Sequence, residues 1–440
     1  MASSPATGPS VLIAGGGLAG LAAAAALGGA GYGVRLFESR GFLGGRATSF
    51  PLSPGDGDSE VIDNCQHVLL GCCDNLLDFY ARLGVRDKIR FHQEYYFLEP
   101  GGRLSTLRRG LLPAPFHLSG SFLSMQCLDL RDKLAIARGL AALARERKTR
   151  NDLHSISMLD WLTEKRQTPR AVQRFWRQVL VSAINEELDR MAAAYGFQVF
   201  WLGFLSRADG CDMGVPLAPL AELYAKEAWS RMGNVAIHPR APVDDIDPAC
   251  GFRVDGERHA ADFYIAALPF ERLAAIAPSL GIEADRFAHS PIVGIHLWFD
   301  RPVAGVPHAT LLDRTIQWMF NKSEGRYLQL VVSAARALGT MSRSDVVDLA
   351  VRELIEFFPE AGRAKLVRSH VIKEMRATFS AAPGAEALRL GPETDFPNLF
   401  VAGDWTRSGW PATMEGAVRS GYLAAEAITR AAGTPLRFLR

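Results

Sequence analysis

The apolar positions of this chain fall into stretches of different period. Near the amino terminus a short apolar run at 11–14 ends in glycines, an Ala/Leu-rich segment follows at 18–27, and a second apolar run occupies 34–38. That order predicts strand, helix and strand within about thirty residues, the length of a βαβ unit in a parallel sheet. Residues 94–98 and 103–107 flank Gly101-Gly102 and read as a hairpin. Helical spacing then dominates at 130–145, 158–165, 170–181 and 191–205. Strand composition returns at 292–299, 316–321 and 327–333, close enough together for an antiparallel sheet. Val346, Leu349, Leu354 and Phe357 give 345–358 a helical face, and the carboxy-terminal part returns to strand–turn–helix at 399–402 and 414–428. Two similar ends around a different middle predict a discontinuous domain carrying inserted segments.

At 440 residues the chain exceeds what one core usually serves, which agrees with two domains. Hydrophobic residues at 48% and charged residues at 22% describe a folded protein and exclude disorder. A net charge of +2 supplies no field for gripping a polyanion, so nucleic acid is not an expected partner. Six cysteines lie at 65, 72, 73, 127, 211 and 250 without a CxxC pair. Cys65, Cys72 and Cys73 are read as buried thiols in a reducing cytosol, and no metal site is expected. Residues 1–10 lack the basic region of a signal peptide, and glycines break the apolar run behind them. The most apolar stretch, 191–205, is shorter than the roughly 20 residues that cross a bilayer, and reads as a buried or interfacial helix.

Gly15-Gly16-Gly17-Leu18-Ala19-Gly20 fits GxGxxG where the mechanism needs it, after a strand and opening a helix. Gly15 permits the turn, Gly17 lets a pyrophosphate approach, and Gly20 lets helix and strand pack closely. The N–H groups around Leu18 and Ala19 then face the phosphates. Glu38 closes the second strand 18 residues beyond Gly20, where an acid takes both ribose hydroxyls. The unit predicts dinucleotide binding.

Glu38-Ser39-Arg40 is followed by Gly41-Phe42-Leu43-Gly44-Gly45-Arg46, a second glycine pair. This segment resembles the one that lies along the FAD pyrophosphate and ribityl chain in flavoproteins of the amine oxidase and phytoene desaturase superfamily. At the other end, residues 397–405 (PNLFVAGDW) resemble that superfamily's strand ending at the same groups, with Gly403 and Asp404 in the matching places. Residues 409–421 resemble its helix start at the flavin pyrimidine edge, which implies roles for Thr413, Met414, Glu415 and Ala417. Glu415 is equally readable as a first-turn acid that stabilises its own helix. Val243, within Pro242-Val243-Asp244-Asp245-Ile246, matches the valine whose backbone meets the adenine, and 216–223 resembles the entry to a flavin-side helix with Ala218 in place of glycine.

Residues 61–72 (VIDNCQHVLLGC) and 75–80 (NLLDFY) resemble the squalene-associated FAD-dependent desaturases, the hydroxysqualene dehydroxylases of hopanoid biosynthesis. The resemblance implies an α/β protein with a Rossmann-like FAD domain at 9–80, 215–290 and 385–440. It implies an α+β substrate domain with a mixed antiparallel sheet and helices at 81–214 and 291–384. The implied reaction converts hydroxysqualene, a long isoprenoid, to squalene with an electron donor that the sequence does not identify. Asp63, His67 and Cys65 are the candidate catalytic residues. Asp63 is equally readable as structural, His67 as a core histidine, and Cys65 as an inert thiol. Cys65 stands where glycine is usual, so a left-handed backbone there would be strained. A carotenoid desaturase shares every FAD motif, and a non-enzymatic isoprenoid carrier shares the fold. An amine oxidase fits less well, since no lysine stands out beside the flavin.

A thirty-carbon polyene dissolves in a bilayer rather than in water. Leu111-Leu112-Pro113-Ala114-Pro115-Phe116 is oily for a loop, and 131–150 holds seven basic residues against two acidic ones. The expectation is a cytoplasmic protein attached peripherally to an anionic membrane surface. The competing reading is a cavity-lining segment beside a solvated helix face.

Overall fold

The structure, a computed structural model, describes residues 8–52, 60–229 and 231–440. Residues 1–7, which hold most of the amino terminus assessed for a signal peptide, lie outside the described residues, as do 53–59 and Ser230 within the expected FAD segments.

β1 (Ser10–Ala14), α1 (Leu18–Gly29) and β2 (Gly33–Glu38) form the expected βαβ unit, with β1 and β2 parallel from Ser10↔Gly33 to Ala14↔Phe37. The full sheet runs Val235–Pro239, β2, β1, Phe263–Ala266, Leu399–Val401, every pair parallel. Both ends of the chain therefore build one sheet. α1 is buried from Leu18 to Gly28, which explains why its sequence is apolar on all sides. It packs against helix Met414–Ala431 almost backbone to backbone: a Cβ on Gly421 would lie 2.1 Å from the Ala19 carbonyl oxygen.

The second large sheet has seven strands, in the order Leu366–Phe379, His289–Phe299, Tyr327–Ser333, Trp318–Ser323, His308–Leu311, Glu94–Leu98, Leu104–Arg108. Its pairs are antiparallel except His308–Leu311 with Glu94–Leu98. One face carries Val293, Ile295, Leu297, Leu328 and Leu330, buried with Val346, Leu354 and Phe357 of helix Arg343–Phe357. The opposite face meets Cys65 and a helical layer rich in aromatics, in which Trp176, Phe175 and Trp161 surround Phe200 and Phe197.

Two elements differ from their predicted form. The helix expected at 170–181 contains a π turn, Val172–Trp176, and ends at Ile184. The stretch 191–205 is helix Ala193–Phe200 passing into a π turn, Trp201–Leu205, and Phe200 is fully buried in the aromatic layer. Wide i→i+5 turns shift the side-chain period, so a strict 3.6-residue reading cannot locate them. Among the described residues no helix is long and apolar enough to cross a membrane.

Candidate functional site

The site begins where two glycine segments meet. Gly15 takes φ +106°, a left-handed value suited to glycine, and its N–H donates to the Phe37 carbonyl at 2.8 Å. The Gly44 N–H donates to the Gly16 carbonyl at 2.8 Å, so the GxGxxG loop and the second glycine pair form one cradle. The N–H groups of Gly17, Ala19 and Gly20 find no acceptor among the described residues. A Cβ on Gly17 would face open space, with no atom within 4 Å. A row of unengaged N–H groups beside open space at a helix N-terminus is what a pyrophosphate requires, so the residues fit a dinucleotide.

Glu38 is buried at the end of β2. Its Oε2 accepts the Gly16 N–H at 2.7 Å, and its Oε1 accepts the Arg40 N–H at 2.7 Å and the Ser39 hydroxyl at 3.1 Å. Ser39 and Arg40 thus brace the carboxylate through Oε1, and Oε2 keeps a lone pair for a ribose hydroxyl. Arg46 joins the two ends of the chain by pairing with Asp404 at 2.6 Å. Gly403 precedes it, donating its N–H to the Ser420 hydroxyl at 2.9 Å. Thr413 caps the last helix by accepting the Gly416 N–H at 3.0 Å, and the Ala417 N–H is held by the Thr413 carbonyl. Among the described residues the N–H groups of Met414 and Glu415 remain without an acceptor, a second helix terminus able to face negative charge. Val243 is buried at the start of strand Val243–Asp247, and its carbonyl accepts from Arg272 at 3.1 Å.

The Glu415 side chain does something other than meet a cofactor. Its carboxylate accepts the Asn75 side-chain amide at 2.7 Å and the Leu76 N–H at 2.7 Å, capping helix α2 (Asp74–Leu83). Burial raises its pKa, while the Asn75 and Leu76 donors pull the other way. The side chain therefore serves as a structural cap, the second of the two roles read from the sequence, and any cofactor contact at this position falls to the Glu415 N–H.

Segment 63–67 lies beside the cradle, since the Asn64 side-chain amide donates to the Arg46 carbonyl. Asp63 Oδ1 accepts from Ser49 Oγ at 2.6 Å and from the N–H of Leu220 at 3.0 Å, which fixes the start of helix Leu220–Leu223. His67 Nδ1 lies 2.9 Å from the Cys65 carbonyl, and burial lowers the imidazole pKa. Cys65 is buried beside Gly294, and burial pushes its thiol up to about 12. So protonated a thiol is a poor acid and a poor nucleophile at neutral pH. The backbone at Cys65 is not left-handed, so replacing glycine there causes no strain of that kind.

Sequence reasoning missed Lys322, on strand Trp318–Ser323. Its Nζ donates to Gln66 Oε1 at 3.0 Å and lies 3.8 Å from Asp63 Oδ2. Burial lowers its pKa, with Asp63 opposing. Asn321-Lys322-Ser323-Glu324-Gly325 reads as a surface turn, and nothing local in it signals that the exposed lysine turns its Nζ onto Gln66 and Asp63.

Beyond Lys322 the same sheet face holds buried polar groups without partners. Pairing puts His296 opposite Gln329, and Gln329 opposite Phe320. Gly294, two residues before His296, faces Asn64 and Cys65, so this row lies under segment 63–67. Tyr327 Oη lies 2.7 Å from His296 Nδ1. His296 Nε2, Thr310 Oγ1 and both amide atoms of Gln329 are buried without a hydrogen-bond partner among the described residues. Burial pushes the His296 pKa down to about 3, so the ring is neutral.

With this geometry in hand, likeness to known proteins can be placed on it. The family described as flavin containing amine oxidoreductase matches residues 18–429. The chain is 24% identical over 461 residues to 15-cis-phytoene desaturase of Capsicum annuum, covering 96% of this chain and 78% of that protein. It is 25% identical over 480 residues to zeta-carotene desaturase of Synechocystis sp., covering 95% and 96%. An oxidoreductase from Methanosarcina mazei shares the fold with a TM-score of 0.70 at 19% identity, over 96% of this chain and 100% of that one. Putrescine oxidase bound to putrescine does so with a TM-score of 0.67 at 17% identity, over 96% and 99%.

Proposed function

The chain belongs to the flavin-containing amine oxidoreductases, with FAD as its cofactor, and from that premise we propose that it converts hydroxysqualene to squalene. Bound in its two-electron reduced form, FAD supplies the hydride that replaces the allylic hydroxyl. The hydroxyl takes up a proton and leaves as water, so the products are squalene, water and oxidised FAD.

The chain's own task is to hold the hydroxyl and deliver that proton in an apolar interior. We assign delivery to His67, on the segment that touches the FAD cradle, and to Lys322 Nζ, which reaches that segment through Gln66. Asp63 positions Lys322 and the helix at Leu220; its carboxylate, already an acceptor twice over, is not the donor.

One observation carries the reading: the unpaired atoms of His296, Gln329 and Thr310 on a buried sheet face. A buried polar group left unpaired costs about 1–3 kcal/mol. A purely hydrocarbon substrate leaves that cost standing. A hydroxylated one, donor and acceptor at once, offsets it.

The second reading is a carotenoid desaturase, favoured by the likeness to phytoene and zeta-carotene desaturases. A third, a non-enzymatic isoprenoid carrier, has no need of the intact cradle, and a colourless purified protein would favour it. The test supplies flavin-loaded protein and a chemical flavin reductant with hydroxysqualene, and oxidised protein with phytoene, and identifies products by mass spectrometry. Squalene from the first is expected. A desaturated product from the second, with hydroxysqualene untouched, would establish the desaturase reading.

A further inference from the structure

We propose that the surface built by residues 111–141 docks onto an anionic lipid bilayer. The surface has three parts. In the oily loop Leu111 is 106% exposed, Phe116 63% and Leu112 56%. The loop does not fold back over the protein because its base is fixed. The Gly110 N–H donates to the His117 carbonyl at 2.7 Å, and the His117 ring is buried with Nε2 3.6 Å from Cys211 Sγ. Helix Ser119–Ser124 continues the surface, donating the Ser119 N–H to the Phe116 carbonyl at 3.0 Å and presenting Leu123, 64% exposed. Lys133 Nζ donates to the Leu123 carbonyl at 2.7 Å, which ties that helix to the third part, helix Leu130–Glu146.

The third part carries apolar residues on two opposite faces. Ala135, Ile136, Gly139, Ala142 and Leu143 are buried. Leu130 and Leu134 are 68% and 53% exposed, and Ala137 and Ala141 are exposed as well. These four lie at i, i+4, i+7 and i+11, a single outward stripe. Against the competing reading of a solvated helix face, the outward face carries apolar side chains along its middle.

Charge then selects the partner. Not all seven basic residues of 131–150 are available: Arg147 lies 3.5 Å over the Trp201 ring, and Arg150 is held by Asp152 and Glu164. Arg131 and Arg138, exposed beside the leucine stripe, form no ion pair among the described residues. Protruding leucines flanked by uncommitted guanidinium groups match the boundary between acyl chains and anionic headgroups, where an amphipathic helix lies with its apolar face inserted by about 5–10 Å. Behind the surface, Phe122 meets Phe175 at 5.8 Å and Phe175 stacks on Phe200 at 5.6 Å, so apolar packing runs from the stripe into the aromatic layer.

The experiment is cosedimentation of the full-length, flavin-loaded protein with vesicles of phosphatidylcholine alone and of phosphatidylcholine mixed with phosphatidylglycerol. Binding to the mixed vesicles, weakened by salt, is expected. Both Leu111→Ser/Phe116→Ser/Leu134→Ser and Arg131→Gln/Arg138→Gln should bind at least about tenfold more weakly, with unchanged flavin spectra and melting temperatures. Absence of binding by the unmodified protein overturns the proposal, as does undiminished binding by both variants. So does a dimer, seen by light scattering without vesicles, that the triple variant dissolves, because the face would then be a contact between copies. Vesicle binding is read without turnover, so inactivity on hydroxysqualene would remove the functional reading alone.

Discussion

The parallel-sheet half and the seven-stranded half leave different hydrogen-bonding groups unmet. In the first, every carboxylate oxygen of the buried acids Glu38 and Glu415 is already held, and the unused capacity among the described residues is mainly main chain: the N–H groups of Gly17, Ala19, Gly20, Met414 and Glu415. In the second, the main chain is consumed by strand pairing and the unused capacity is side chain, on His296, Gln329 and Thr310. Under the proposed function, the first half would address the cofactor by backbone shape and the second the substrate by side-chain chemistry, the one spelled in glycines and the other in residues that strand pairing brings together.

The sharpest ways to break this contrast act on the backbone half. Gly421→Val drives a side chain against the Ala19 carbonyl, where even a Cβ would sit at 2.1 Å. It should cost about 3 kcal/mol or more, read as a fall in melting temperature. Gly17→Val places its bulk in open space, so the fold should survive while FAD affinity falls about a hundredfold, measured by flavin titration of the apoprotein. A Gly17→Val protein that purifies fully yellow would contradict the cradle.

The other half should respond to pH. Burial lowers the His296 pKa to about 3 and that of His308 to about 4. Folded values below the unfolded one mean that their contribution is intact above about pH 6.5 and is lost as pH falls. At pH 5 each costs about 2 kcal/mol, and His296→Gln should recover about half of the combined loss in a pH series of denaturant unfolding. Glu415, raised by burial, acts with the opposite sign and favours the fold as pH falls, so it cannot be the source of that loss. The smallest effect is the most specific. Gln329→Leu removes two unpaired buried atoms and should stabilise the protein by about 1 kcal/mol, while raising KM for hydroxysqualene about tenfold.

The same contrast explains what the sequence disclosed. The cradle was legible because Gly15, Gly17, Gly20, Gly44 and Glu38 act within one local unit whose spacing is its meaning. Strand Tyr327–Ser333 matched its predicted bounds because it is mostly apolar, Gln329 apart, and follows the polar turn at 323–326. The partners of the Glu415 carboxylate could not be read from its position, because they sit 340 and 339 residues earlier. Lys322 went unseen for a related reason: it reaches Gln66 only through the packing of a sheet on a distant segment. The π turn at Val172–Trp176 has no period of its own to read.

The most direct measurement is an anaerobic single turnover: photoreduced protein is mixed with one equivalent of hydroxysqualene, and flavin absorbance is followed with product extraction. The account predicts reoxidation of the flavin in step with the appearance of an equal amount of squalene. Flavin that stays reduced while hydroxysqualene is recovered intact would contradict it.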